Sequence, residues 1–476
     1  MKKVFSIILL VLLGLCLLFV VYNRFDAKPV AGIPTEQDLL AANFDYKNGY
    51  YRLWTLGLDD AVDVEAAPVK ERFRRLFDPA FDNDQEIRGF ETEKYKQETN
   101  ATQRLGKIVV SELKTIDRVG DAPPISLVTM LKEKDEFLRF RERQPVLLQR
   151  YRRFLASDFF QDFTALNSIS PIPNLLTWLR LAKVHLGLCF VDASDGKWAE
   201  AADALLEQAV FAKKAVAGSR TLITNLVAKA VLSMSVQGLA FLMNQKDCPA
   251  AVYSQVLAGM PPMGLEEYGS RNSFISEFLF FRNSISHLDA TARKDLELDG
   301  WAGFLAHLGL QKNRTINEKY EQLRIFLEAE MSPLQVDPQQ VLSPRPSRKG
   351  GFFWWLRNPV GKIVLDMAAA NLGAIVFKSH RVKSLYDMTR ISAELHLRYD
   401  PGKSVQENLN LLATYQTMDP CSGKPYIWND EKQVLYSVGF DRVDGGGLYD
   451  RTTVQTDIVL PCVLYIRAEK DQPKGR

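Results

Sequence analysis

The chain has 476 residues, 46% hydrophobic and 25% charged, a balance that suits two or three packed cores and excludes a disordered chain. A net charge of +3 gives no field for a polyanion, so nucleic acid is excluded as a partner. Outside the first apolar run the cysteines are Cys189, Cys248, Cys421 and Cys462, an even set that permits pairing in an oxidising compartment.

Val4 to Tyr22 is an uncharged run of nineteen residues without proline, directly after Lys2 and Lys3. At ~1.5 Å per helical residue it spans about 28 Å, close to a bilayer's hydrocarbon core. A cleaved signal has an apolar core of roughly 7 to 15 residues, then small residues three and one before the cut. Cleavage after Ala27 would put Phe25 at the outer position, and cleavage after Ala31 would put Pro29 there. Leu15 before Cys16 argues against a lipoprotein. The expectation is an uncleaved anchor in residues 1–28, with a cytoplasmic N-terminus and the bulk in the periplasm. Arg24 and Lys28 oppose that orientation, and Asp26 offsets part of their charge.

Residues 29–122 form an N-terminal segment in which Asn48-Gly49 precedes the apolar run YYRLWTLGL, with helices expected from Pro68 to Phe77 and from Glu91 to Ile116. Pro123-Pro124 closes it. Residues 123–332 read as a helical body. The Arg-rich stretch Lys132 to Phe154 interleaves acids with its arginines and reads as a solvated helix pair broken at Pro145. Leu175 to Val191 repeats apolar residues at helical spacing, breaks at Asp192 to Gly196, and restarts at Trp198. Leu186, Gly187, Phe190, Trp198, Ala199 and Ala201 resemble a tetratricopeptide-type unit; a generic α-hairpin is the competing reading. Leu222 to Met243 is apolar enough for a second span, but Lys229 inside it costs roughly 3 kcal/mol at mid-bilayer, which favours a buried core helix. Ser273 to His287 and Asn317 to Glu330 continue as amphipathic helices.

Four prolines between Pro333 and Pro346, followed by Gly350-Gly351, mark residues 333–351 as a linker. Phe352 to Trp355 then lies either in a core or against headgroups, and residues 352–400 read as long helices. Residues 401–476 read as a small β unit: Pro425 to Trp428 and Gln433 to Val438 form a hairpin turned at Asn429-Asp430, with an Asp/Gly-rich loop after it. Cys421 and Cys462 flank this unit and are the favoured disulfide pair, against four separate buried thiols. Asp441, Asp444 and Asp450 surround three glycines and are candidate ligands for calcium, against a reading as ordinary loop residues.

The signatures of common catalytic motifs are missing: no H-E-x-x-H, G-x-S-x-G, G-x-G-x-x-G or phosphate loop occurs, and the five histidines lack ligand spacing. The segment Asp419 to Asp450, with Asp419, Pro420, Gly423, Pro425, Tyr426, Tyr436, Ser437, Gly439, Asp441, Gly445 and Gly446, resembles the calcium-binding β unit of type II secretion major pseudopilins. That resemblance implies a ligand role for Asp441, with Asp450 and Asp457 as loose equivalents of later ligands. The anchor has no prepilin start and no glutamate, so pilus assembly is not implied. More broadly, N-G-Y-Y-R-L at Asn48, R-N-P-V-G-K at Arg357 and the C-terminal motifs are similar to uncharacterised bacterial membrane-anchored proteins, which implies a Gram-negative envelope.

The expected architecture is mainly α, with an N-terminal transmembrane helix, a bundle or short helical-repeat body, and a C-terminal β-hairpin unit. The expected function is a non-catalytic tethered scaffold or binding protein, held in the inner membrane by its first helix and able to take an envelope protein partner. The alternative is a hydrolase of envelope polymers that uses carboxylates in a groove.

Overall fold

The computed structural model describes residues 17–21, 25–39, 47–58, 132–164, 172–295, 309–342, 357–367, 372–448 and 457–462, with single residues between them. The expected helices at Pro68 to Phe77 and Glu91 to Ile116, the Phe352 to Trp355 cluster and Asp450 lie outside this set, as does most of Val4 to Tyr22. Within that run residues 17–21 are helical, and Leu17 and Val21 are 67% and 56% exposed. The chain packs as two units of discontinuous segments. One comprises Met1–Leu39, Leu166–Ser170 and Ser273–Ala374, the other Leu40–Ala165, Pro171–Asn272 and Ile375–Arg476. The chain is mainly helical, with one small antiparallel sheet.

In the larger unit, α1 (Gly49–Thr55) is followed by α2 (Lys134–Arg143), α3 (Pro145–Leu155), α4 (Leu175–Ser194), α5 (Trp198–Gly218), α6 (Leu222–Met243) and α7 (Ala250–Gly259). Pro145 ends α2 and starts α3 at its first turn, where a missing N–H costs nothing. The pair is less solvated than its charges imply. Phe137, Phe140 and Phe154 are buried, Arg150 donates to the Leu58 carbonyl at 2.7 Å, and Arg141 grips both oxygens of Asp192 on α4 at 3.0 and 2.9 Å.

Helices α4 and α5 form the expected hairpin, but α4 runs through Ser194 and leaves a turn of Asp195 to Lys197. The Asp192 carbonyl accepts the Asp195 and Lys197 amides at 3.1 and 2.9 Å, and Gly196 supplies the left-handed residue at φ +83°. Helix α6 has the length and mean hydropathy of a membrane span, 1.7, yet packs as a core helix against α5 and α4. Its polar residues are spent internally. Asn225 donates to the Val216 and Gly269 carbonyls at 3.3 and 3.2 Å, and Lys229 donates to the hydroxyls of Ser270 and Ser379.

The Asn48-Gly49-Tyr50 motif is a staple. Asn48 Oδ1 caps the Tyr50 amide at 3.0 Å and accepts Gln161 N at 2.8 Å, while its Nδ2 donates to Gln161 O at 2.8 Å. A loop carboxylate does similar work at the start of α6: Asp162 Oδ2 accepts Arg220 N at 3.2 Å and Thr221 N at 3.0 Å. Both replace backbone partners that two helix entries would otherwise lack.

The smaller unit contains most of α8 (Arg271–Asp295), then α9 (Lys312–Met331), α10 (Pro338–Leu342) and α11 (Pro359–Met367). Phe281, Ile285 and Leu365 form its core with Ile316 and Val364, and Phe274 packs on Phe326 at 6.1 Å. The Pro-rich stretch expected as a linker is partly structured. Pro333 and Pro338 begin a 3-10 turn and a short helix, and Val336 and Val341 are buried. Proline at a first helical turn reads in sequence like proline in a loop.

Helix α12 (Leu372–Arg398) carries the larger unit from Ile375 onward, and α13 (Val405–Asn410) leads to β1 (Ile427–Asn429), β2 (Val434–Ser437) and β3 (Ile458–Pro461). The hairpin pairs Ile427 with Tyr436 and Asn429 with Val434, and β3 adds on the other edge of β2, pairing Tyr436 with Val459.

Candidate functional site

The Asp/Gly loop leaves β2 through Gly439, in the left-handed region at φ +71°. Asp441 is confined to its own exposed turn, where Oδ1 accepts Val443 N at 3.2 Å. Asp444 Oδ1 accepts the Tyr436 hydroxyl at 3.0 Å and Gly446 N at 2.8 Å. The carboxylate that organises the glycines is Asp457: Oδ1 accepts Gly445 N at 3.3 Å, and Oδ2 accepts Gly447 N at 2.7 Å and Leu448 N at 3.0 Å. Burial raises its pKa, with those three amides opposing the rise. Calcium takes six to eight oxygens, and among the described residues no group of three His, Cys, Asp or Glu converges for an ion. Asp441 and Asp444 serve separate turns, so these residues do not by themselves fit a calcium cage.

The Asp419-Pro420 turn is built like a cap. Asp419 Oδ1 accepts Cys421 N at 3.1 Å and the Ser437 hydroxyl at 2.8 Å, while Oδ2 accepts the Ser422 hydroxyl at 2.8 Å. Cys421 and Cys462 are both buried free thiols, and the bridge expected between them is not formed. Cys462 Sγ lies 3.2 Å from Ser392 Oγ on α12, and burial pushes its pKa up to about 11. Flanking one sheet does not place two side chains on the same face of it. Both thiols are protonated and inert at neutral pH.

Two buried polar clusters have the composition of chemistry. Lys229 with Ser270 and Ser379 pairs an amine with two hydroxyls, but all three are at most 2% exposed, out of reach of a substrate. Their function is to tie α6 to α12 and to the segment before α8. On α12, Asp387 Oδ2 accepts Lys383 Nζ and the Tyr426 hydroxyl, the latter at 3.1 Å, while Oδ1 and Ser384 Oγ are buried without a hydrogen-bond partner. Burial raises the Asp387 carboxyl against the pull of Lys383.

A third site was not anticipated from sequence. After the apolar N-terminal run, residues 23–32 lie in extended form along α9. Asp26 caps that helix, accepting Asn313 N at 2.7 Å and Arg314 N at 3.1 Å. Phe25 O accepts Gln311 Nε2 at 3.2 Å, Lys28 O accepts Asn317 Nδ2 at 2.8 Å, and Gly32 O accepts the Tyr320 hydroxyl at 2.7 Å. The R-N-P-V-G-K motif closes the arrangement. Asn358, left-handed at φ 57°, donates its amide to Asn23 Oδ1 at 2.8 Å, accepts Gln311 N at 2.8 Å and donates Nδ2 to Thr315 Oγ1 at 2.9 Å. A Cβ on Gly361 would fall 2.1 Å from Thr315 Oγ1, so only glycine lets α11 approach this knot.

No protein-family model, curated protein or solved structure matches the chain.

Proposed function

We propose that the protein is a membrane-tethered scaffold or binding protein of the bacterial envelope. In this reading Val4 to Tyr22 crosses the inner membrane, the N-terminus is cytoplasmic, and the folded units stand in the periplasm ready for an envelope protein partner. The observation that supports it most is the docking of residues 23–32 on α9. Cleavage after Ala27 or Ala31 would remove Asn23 and Asp26, the groups that hold Asn358 and cap α9. Such a cut discards parts of the folded unit, whereas an uncleaved helix keeps them. Alkaline phosphatase fused after residue 30 is expected to be active, and the full chain to resist alkaline carbonate extraction. An inactive fusion, or a chain released by carbonate, would overturn the reading.

Hydrolysis of envelope polymers has one observation in its favour, the desolvated Asp387 carboxyl beside Tyr426. Acid/base work on a glycosidic bond needs a second carboxyl roughly 5 to 9.5 Å away. The buried carboxylates Asp162, Asp419 and Asp457 are occupied by backbone amides and hydroxyls in their own turns. A tether with a structural core therefore remains the better reading.

A further inference from the structure

We infer that the Asn358 knot carries a binding site for the phosphate of an anionic phospholipid, in the membrane that holds the N-terminal helix. The inference rests on the tethered reading above and adds a ligand to it. Three cations are gathered on this knot. Arg314 Nε donates to Gln311 Oε1 at 2.7 Å, and the Gln311 amide is held by Asn358. Arg357 precedes Asn358 and is exposed, and Lys362 donates to the Arg357 carbonyl. The same asparagine accepts its position from Asn23, at the end of the N-terminal helix, so the cations are fixed where that helix leaves the bilayer.

Their charges are not balanced locally. Asp26 is committed to the N-terminal amides of α9, a role that uses its charge against the helix dipole. Glu318 is the remaining carboxylate that acts on Arg314 and Lys362. Burial first, then repulsion from Arg357, lowers the pKa of Arg314, and burial with Arg314 and Arg357 acts the same way on Lys362. A phosphate oxygen among them would relieve that repulsion with charge-assisted hydrogen bonds. Apolar groups accompany the charges: Phe25 is 70% exposed and Ile363, next to Lys362, is 53% exposed. Cations beside exposed apolar side chains suit an interface where headgroup meets acyl chain, and do not suit a free aqueous anion.

The test uses the full chain in mild detergent, titrated with phosphatidylglycerol, phosphatidylcholine or inorganic phosphate while its melting temperature is followed. Phosphatidylglycerol is expected to raise the melting temperature and the other two to leave it unchanged. The Arg314→Gln/Arg357→Gln pair is expected to weaken that response about thirtyfold, equivalent to ~2 kcal/mol. Arg324→Gln, farther along α9, is expected to leave it intact. Equal responses to the two lipids, a response to phosphate alone, or an undiminished response in the double variant would each overturn the site. A chain released by carbonate would instead overturn the tether, so the two failures are distinct. Should the double variant melt early without lipid, Arg357→Gln alone, an exposed position, reads the same titration and must weaken it.

Discussion

A Cβ at Gly218 would lie 1.8 Å from the Phe160 carbonyl oxygen, and one at Gly187 would lie 2.1 Å from the Phe137 ring. The first contact is with backbone and has no rotamer to escape into. Gly218→Ala is therefore expected to cost about 3 kcal/mol and Gly187→Ala about 1–3 kcal/mol, measured by urea denaturation of the full chain in detergent. The C-terminal loop makes a sharper contrast. Asp457 receives three backbone amides, whereas Asp441 receives one in an exposed turn. In a chelator, Asp457→Asn should lower the melting temperature and Asp441→Ala should change stability by less than about 0.5 kcal/mol. A calcium-induced rise in melting temperature that Asp441→Ala abolishes would instead place the ion at the sequence-predicted ligands.

Asp387 gives a pH signature at the same scale. Burial raises its folded-state pKa above the unfolded value of about 4, so its contribution to stability is complete below that value and is lost as pH rises through the folded pKa. Asparagine does not titrate. The melting temperature of Asp387→Asn relative to wild type should therefore climb between about pH 4 and pH 8, and a flat or falling difference would contradict the buried assignment.

Among the elements, those with a local cause were legible in the sequence. Helices α4 and α5 show apolar spacing on both sides of a Gly turn, and β1 and β2 follow from the Asn429-Asp430 turn between β-rich runs. The buried state of α6 followed from Lys229. Elements defined by distant partners were not legible. Asp26 caps a helix 287 residues away, and no local pattern announces such a pairing. The role of Asp457 was hidden for a related reason: it lies after the glycines it organises, on the approach to β3, and reads as one more loop aspartate. Helix α9 offers a direct check of the cap. Asp26→Ala should cost about 1 kcal/mol and speed amide exchange at Asn313 and Arg314, while exchange at Phe326 stays unchanged.

For the molecule as a whole, interleaving explains why linear division by composition falls short. The smaller unit takes its pieces from residues 1–39, 166–170 and 273–374, so its boundaries coincide with no single change in the sequence. The Asn358 knot closes that unit by joining Asn23 to Gln311 and Thr315. It makes the first residues part of the fold, which is the physical reason to expect them in the mature protein.

The most direct test is the intact mass of the native protein, isolated from carbonate-washed membranes of cells that express the full chain. A mass that retains Val4 to Tyr22 is the predicted result. A mature chain that begins after Ala27 or Ala31, recovered from the soluble periplasm, would contradict the tether.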